Sequence, residues 1–189
     1  MKPNRGPAAA GSNRRALLAS ARRLFAERGI GVPLSAIARD AGVGQGVLYR
    51  HFPTRSVLAM AVFDENLDHL EQVAAGASGD RGFATVWGEA LEMVLTDIAF
   101  IEMAVESRRA TRAVGADTRL GRMIEPLLVR ARAGGLVDPS ITTVDLLRAL
   151  RASYGVVVTA MDSRTARSDV AALMTGLGLP GPGRGADTG

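Results

Sequence analysis

The chain has 189 residues, no cysteine and a net charge of +4, and 47% of its residues are hydrophobic. This composition supports a sizeable core and excludes wholesale disorder, while the missing cysteine excludes disulfides and thiolate chemistry. The first twelve residues contain no apolar signal-peptide segment, and no apolar run reaches about 18 residues, so we expect a cytoplasmic protein that does not span a membrane.

The positive charge is concentrated at the start of the chain. Residues 1–55 carry ten lysines and arginines against only Glu27 and Asp40, a net charge of +8 that leaves −4 for the remainder. A basic first segment on an acidic body is typical of a protein that binds a polyanion such as nucleic acid. A basic solvated surface with no partner accounts for the charge equally well. The sequence motifs are therefore needed to distinguish nucleic-acid binding from a merely solvated surface.

Residues 1–29 predict a flexible arm and a first helix. The arm, residues 1–12, contains two prolines and two glycines among small residues. From Asn13 onward the apolar residues follow helical spacing, and Gly29 stands where a C-terminal glycine cap is expected. The apolar stripe consists of Leu17, Ala21, Leu24 and Phe25.

Two short helices, about 34–41 and 45–51, are predicted next, with Gly42 providing the sharp turn between them. Leu48 and Phe52 face inward and hold the second helix to the core. A helix, a glycine-containing turn and a second helix form the arrangement of a helix-turn-helix unit, whose second helix lies in the major groove of DNA.

The candidate DNA-binding residues lie on the outer faces of these two helices and beside their ends. They are Ser35, Gly44, Gln45, Gly46, Val47, Tyr49, Arg50, His51 and Arg55. Gln45 can read an adenine edge with its amide, and Val47 can pack on a thymine methyl group. Gly46 lets the backbone approach the duplex closely, whereas Tyr49 and Arg55 are expected at phosphates.

The segment PLSAIARDAGVGQGVLYRHFPTRSVL, residues 33–58, resembles the signature of the TetR family of bacterial transcription regulators. The matching residues are Ile37-Ala38, Ala41-Gly42-Val43, Leu48-Tyr49, His51-Phe52 and Arg55. The resemblance extends over roughly residues 13–75. The chain departs from the family pattern at Pro33, where the family usually has a serine or threonine cap, and at Gln45 and Val47, where lysine and threonine are frequent. The resemblance therefore implies sequence-specific DNA binding, but it does not carry over an operator sequence.

The remainder, about 82–175, has helical apolar periodicity throughout. It is interrupted at residues 76–82 and 113–118, and Pro126 either kinks the helix after the second break or marks its true start. We therefore predict an all-α fold of about nine helices. Its parts are a three-helix helix-turn-helix head at 13–55, a helical effector-binding and dimerisation domain at 56–175, and a disordered tail at 176–189, whose sequence is GLGLPGPGRGADTG.

The last two predicted helices, about 143–161 and 164–175, are expected to form a homodimer. The resemblance implies that they pair with those of a second subunit, and a symmetric partner suits a recognition helix that reads only half of a palindromic site. Ordinary core helices are the alternative. The candidate interface residues are Leu150, Val157, Met161, Val170, Leu173 and Met174.

A cavity for an unknown small-molecule effector is also expected in this domain, mostly from the resemblance. Its candidate lining residues are Trp87, Met93, Phe100, Met103, Arg108 and Tyr154, with Arg109 or Arg112 as further cations for an acidic group. A plain apolar core is the alternative, because apolar residues at helical spacing are usually core.

No pattern for catalysis, a metal or a cofactor is found. His69 has Glu65 and Asp68 nearby on one helix, which makes a poor closed metal site, and there is no glycine-rich phosphate loop or nucleophile elbow. We therefore expect a ligand-responsive repressor that binds a palindromic operator in double-stranded DNA, without enzyme activity, cofactor or metal. The alternatives are a sequence-independent, architectural DNA-binding protein and, less favoured, an enzyme on a helical scaffold.

Overall fold

The computed structural model describes residues 7–77, 79, 81–96 and 118–183, and within these ranges it contains eight helices and no strand. The helices are α1 (Pro7–Arg28), α2 (Leu34–Asp40), α3 (Gln45–His51), α4 (Arg55–Gly76), α5 (Gly82–Thr96), α6 (Arg119–Ala133), α7 (Thr143–Thr159) and α8 (Ser163–Gly176). The predicted all-α fold is confirmed for this part of the chain. The chain divides into two compact units, unit 1 (Met1–Glu65) and unit 2 (Asn66–Gly189). The boundary lies inside α4 rather than at the predicted residue 55, because the first turns of α4 belong to unit 1.

Unit 1 is built around the apolar faces of α1, α2 and α3, which pack on one another in pairs. Every residue of the apolar stripe predicted for α1 is buried, as the helical spacing required. Ile37 from α2, Leu48 from α3 and Phe52 just after α3 are fully inaccessible to solvent. The three helices therefore share one small core, and α3 lies on it by a single face.

A glycine in the left-handed conformation makes the turn between α2 and α3. Gly42 has φ +68°, and the backbone N–H of Val43 donates to the carbonyl of Ala38 at 3.0 Å, which closes the end of α2. Gly44 then has an extended backbone and immediately precedes α3. Because of this turn, only four residues separate the end of α2 from the start of α3.

We expect Gly42→Ala to lower the free energy of unfolding of unit 1 by about 1 kcal/mol, because a side chain is unfavourable in the left-handed region. Gly11→Ala is the matched control, since Gly11 lies exposed in α1 and no neighbouring atom comes within 4 Å of the place where a Cβ would lie. Alanine in a helix should leave stability unchanged or raise it by up to about 1 kcal/mol. Urea denaturation followed by helical circular dichroism measures both; equal effects of the two substitutions would contradict the role of Gly42.

The helix α1 is longer than predicted. The flexible arm was expected to extend to residue 12, but α1 begins at Pro7. Proline is favourable in the first turn of a helix, and the three alanines at 8–10 have the highest helix propensity, so the small residues extend the helix instead of ending it.

Unit 2 is centred on α5, which packs on α6, α7 and α8. The apolar face predicted for this helix is buried, including Phe83, Trp87 and Leu91. Pro126 lies inside α6, whose start is instead capped by Thr118, which accepts a hydrogen bond from the backbone N–H of Gly121 at 2.9 Å.

The start of α7 is fixed by a reciprocal cap between Thr142 and Asp145. The Thr142 side chain accepts from the backbone of Asp145, whose carboxylate in turn accepts from the backbone N–H of Thr142 at 3.0 Å. Hydrogen bonds from the side chain of Thr142 and then from its backbone hold the pKa of Asp145 below its usual value.

The segment that follows α8 corrects the predicted disordered tail over residues 177–183. Leu179 is only 6% exposed, and the carbonyl of Pro180 accepts a hydrogen bond from the Trp87 indole at 2.9 Å. The glycines and prolines of this segment predicted disorder, but the side chain of Leu179 is buried against unit 2. The rest of the predicted tail, residues 184–189, lies outside the described residues.

Candidate nucleic-acid interface

The helix α3 is attached to unit 1 by one face and exposes the others. Leu48 and Phe52 are fully buried, whereas Gln45, Gly46 and Arg50 are exposed and Tyr49 is 51% exposed. A large aromatic side chain that is half exposed on a basic helix is available for contact with a partner. The structure therefore brings the predicted residues of α3 together on one accessible surface.

The remaining predicted residues differ in accessibility. Gly44 and Ser35 are exposed, the latter on α2, whose preceding residue Pro33 gives no side-chain cap. Val47 and His51 are half-buried. Each of these positions stays a candidate DNA contact, with Val47 and His51 offering the smaller accessible area.

Arginines on both sides of α3 have defined partners in unit 1. The Nε of Arg50 donates to the carbonyl of Gly46 at 3.1 Å, which lays that side chain along the helix. The Arg14 guanidinium lies over the ring of Phe52, 4.7 Å from its centroid, a cation–π contact beside the end of α3. Arg14 was absent from the predicted site, although its place off the apolar stripe of α1 was a signal that it faces outward.

Arg55 has a different environment from the one predicted. Its side chain is half-buried, and Nη1 donates to two backbone carbonyls in the turn before α2, that of Ile30 at 2.5 Å and that of Val32. A guanidinium that satisfies two carbonyls of its own fold is a structural clamp on that turn. The phosphate contact predicted for Arg55 stays a prediction, and the two carbonyl partners of Nη1 add a structural role for this side chain.

Part of the positive charge of unit 1 is neutralised by ion pairs. Arg22 pairs with Glu65, and Arg23 pairs with Asp40 and with Glu27, the latter at 3.1 Å. A hydrogen bond from Ser20, followed by that from Arg23, lowers the pKa of Asp40. The positive potential around α3 is consequently set by the remaining cations there more than by the total count.

We expect Arg55→Ala to lower the free energy of unfolding of unit 1 by roughly 1–3 kcal/mol, because it leaves two carbonyls of the turn before α2 without their charged donor. Arg50→Ala, on exposed α3, is the control and should change stability by less than about 0.5 kcal/mol. Denaturant titrations of both variants provide the comparison; an Arg55→Ala chain as stable as Arg50→Ala would rule out the clamp.

The predicted effector pocket in unit 2 is only partly covered by the described residues. Trp87 is fully buried and stacks on Phe83 with ring centroids 6.2 Å apart, while Met93 and Tyr154 are half-buried. Phe100, Met103, Arg108, Arg109 and Arg112 lie outside the described residues. An open depression of about 650 Å³ occurs elsewhere on unit 2, and none of its lining residues was predicted; they are Arg81, Ala84, Thr85, Gly134, Gly135 and Leu136.

The predicted dimer residues separate into two groups. Leu150, Val170 and Met174 fill the core of unit 2 itself, so the expectation that they face a second subunit is corrected. Val157 and Leu173 are half-buried, and Met161 is 95% exposed. The apolar surface that remains available on α7 and the α7–α8 connection is that of Val158, which is 46% exposed, and Met161.

The acidic residues near His69 form ion pairs. Nε2 of His69 lies 3.0 Å from a carboxylate oxygen of Glu89, and Asp68 pairs with Arg119. Across residues 7–77, 79, 81–96 and 118–183, no group of three or more histidines and carboxylates is placed to hold a metal ion. In the same ranges no helix has the length and apolar character needed to cross a membrane.

Comparison with known proteins gives matches to unit 1 and to the whole fold. The model of the family described as "Bacterial regulatory proteins, tetR family" matches residues 17–62. An HTH-type transcriptional regulator of Staphylococcus aureus strain USA300 is 36% identical over an alignment of 66 residues, and the match covers 32% of this chain and 36% of the relative. The chain thus matches little more than a third of the length of this curated relative.

Solved structures match over most of the chain. A TetR transcription regulatory protein from Mycobacterium vanbaalenii is 26% identical with a TM-score of 0.59, covering 87% of this chain and 96% of its own. The TetR transcriptional regulator SCO0520 from Streptomyces coelicolor is 25% identical with a TM-score of 0.57, covering 90% of this chain and 99% of its own. The helical order of both units is therefore shared with regulators of known structure.

Proposed function

We propose that this chain is a sequence-specific DNA-binding transcription regulator of the TetR family, because the family model matches residues 17–62 and TetR regulators of known structure match over most of the chain. The observation that carries this proposal is the accessible surface of α3. Leu48 and Phe52 hold this helix by one face, and the polar and aromatic side chains of Gln45 and Tyr49 are left exposed. A short basic helix presented in this way fits the major groove of DNA.

Different residues of α3 are proposed to contact different parts of the DNA, the base edges and the phosphates. Gln45 begins the helix, where side chains reach base edges, and its amide matches the donor and acceptor of adenine. Gly46 follows with an exposed backbone and no side chain to hold the duplex away. Tyr49 and Arg50 lie further along the helix, where hydroxyl and guanidinium groups suit phosphate oxygens.

The regulator is proposed to act as a homodimer through α7 and α8. These helices pack on each other, and Val158 and Met161 leave apolar area uncovered at the end of α7. Pairing this surface with its copy across a two-fold axis removes the apolar area from water and supplies two recognition helices for a palindromic operator. The supporting interface residues are Val157 and Leu173, which are half-buried.

Unit 2 is proposed to bind a small-molecule effector that releases the operator, which makes the protein a ligand-responsive repressor. An effector acts only if it binds the DNA-free and DNA-bound states with different affinity. The protein is proposed to work in the cytoplasm, on double-stranded DNA and without enzymatic activity. A sequence-independent architectural protein is the second candidate, and the basic charge of unit 1 is the observation in its favour.

Selection of bound duplexes from a random DNA pool tests the proposal. We expect enrichment of one palindrome with two half-sites about one helical turn apart, roughly 34–36 Å. Enrichment of no sequence, together with equal affinity for all duplexes at fixed salt, would identify the architectural alternative instead.

We expect Gln45→Ala to weaken binding to the selected palindrome by about 1–3 kcal/mol and to relax the preference at one base pair in each half-site. Binding to random duplex should change little, because the amide reads a base rather than a phosphate. Gln72→Ala, an exposed glutamine on α4 in unit 2, is the matched control and should bind as the unaltered chain does. Unchanged base preferences in single-base titrations of Gln45→Ala would exclude base reading by this residue.

We expect Met161→Glu to raise the dimer dissociation constant at least about tenfold, or about 1.4 kcal/mol, because it places a charge in a proposed apolar interface. Leu136→Glu changes an equally apolar side chain that is 43% exposed between α6 and α7, and it should leave the dimer intact. Sedimentation across a concentration series compares the two. A Met161→Glu chain that stays as dimeric as Leu136→Glu would place the interface elsewhere.

A further inference from the structure

The segment that follows α8 folds back onto unit 2. Leu177 caps α8, Gly178 turns the chain with φ +67°, and the backbone N–H of Leu179 donates to the carbonyl of Met174 at 2.9 Å. The Leu179 side chain is then buried, whereas Leu177 stays 42% exposed. Residues 177–183, named here the C-terminal segment, therefore attach to unit 2 chiefly through one apolar side chain.

Two side-chain donors of unit 2 are aimed at the backbone of this segment. The Trp87 indole donates to the carbonyl of Pro180 at 2.9 Å, and the Arg167 guanidinium donates to the carbonyl of Gly183 at 3.1 Å. Arg167 also makes two hydrogen bonds of 2.6 Å to the two carboxylate oxygens of Glu92. The charge of Arg167 is thus already balanced, and what it offers to the segment is an N–H donor.

The C-terminal segment lies against α5 and α8, and the surface that it covers there is named here the groove. Gly88 is buried, and a Cβ at this position would lie 3.6 Å from the backbone nitrogen of Gly183. On the other side, a Cβ at Gly181 would lie 3.9 Å from that of Ala171. Both distances are ordinary van der Waals contacts, so the segment packs directly against α5 and α8.

We propose that this groove, lined by Trp87, Gly88, Glu92 and Arg167, is a ligand-binding site that the C-terminal segment occupies as an intramolecular ligand. Its external ligand is an uncharged molecule that carries carbonyl acceptors beside an apolar group, because the groove offers two N–H donors, a neutralised cation and an apolar site for Leu179. The ligand binds by displacing the segment. This inference rests on the proposed effector-binding role of unit 2.

The connection to α8 allows the displacement. Gly176 and Gly178 flank Leu177, so the segment can rotate away without unfolding a helix, and Leu179 is its buried apolar anchor. Release uncovers Trp87, which is the single tryptophan of the chain and reports directly on the state of the groove.

The first test uses the emission of Trp87 in the full chain. Leu179→Asp should shift the emission to longer wavelength and raise the rate of quenching by acrylamide several-fold, with helical circular dichroism unchanged. Leu177→Asp, two residues away at an exposed position, should match the unaltered chain. A Leu179→Asp chain whose tryptophan is as shielded as before would overturn the proposal. So would loss of helicity in both Leu179→Asp and the milder Leu179→Ala, because the segment would then be permanent core.

The second test supplies the segment as a separate molecule. A peptide of residues 176–183, acetylated and amidated so that it carries no charge, should bind the Leu179→Asp chain and return Trp87 to its shielded emission. It should not bind the unaltered chain, whose groove is filled, and the same peptide carrying Leu179→Asp should not bind either chain. Failure of the peptide to bind the opened chain would refute the site. These outcomes are independent of DNA selection by the unaltered chain, so failure of the regulatory function and failure of the groove are distinguishable.

Discussion

The burial of Leu48 and Phe52 in the core shared with α1 and α2 is the constraint on which the proposed function depends. The helix α3 has seven residues and would be unstable in isolation, so it is helical and correctly placed only because these two side chains are held. Full burial of such side chains contributes about 1.5–3 kcal/mol each, far more than the exposed residues of α3 can contribute before DNA arrives. The residues proposed to contact DNA therefore take their positions from two buried side chains, Leu48 and Phe52.

Polar contacts in unit 1 refine this arrangement. Arg14 covers the ring of Phe52 at the end of α3, and Arg55 holds the turn before α2 by its carbonyls. Both arginines contribute to the basic charge of the sequence, and in the structure both also contact other groups of unit 1. Net charge alone consequently overstates the number of cations that are free to meet phosphate.

Local patterns predicted the short helices well because their information is local. Apolar spacing, a left-handed glycine and a following proline limit α2 and α3 to within about a residue. The contacts of Arg55 and of the C-terminal segment depend on partners distant in sequence; Trp87 and Pro180 are 93 residues apart. Glycine and proline content predicted disorder there, and only the tertiary groove between α5 and α8 shows why residues 177–183 are ordered.

The predicted dimer residues show a second limit of sequence patterns. Helical spacing identifies apolar positions in α7 and α8, but these helices have apolar residues on more than one face. Val170 and Met174 fill the core of unit 2, whereas Val158 and Met161 remain exposed. Packing against α5 determines which face of each helix is covered by the chain itself. The spacing of apolar residues within one helix carries no information about that packing.

Methylation interference on the selected DNA is the measurement that tests the central claim, entry of α3 into the major groove, most directly. Methyl groups at guanine N7 lie in the major groove, and those at adenine N3 lie in the minor groove. The account predicts interference by N7 methylation in two stretches about one helical turn apart, with little effect of minor-groove methylation between them. Interference confined to the minor groove, or spread evenly along the duplex, would contradict it.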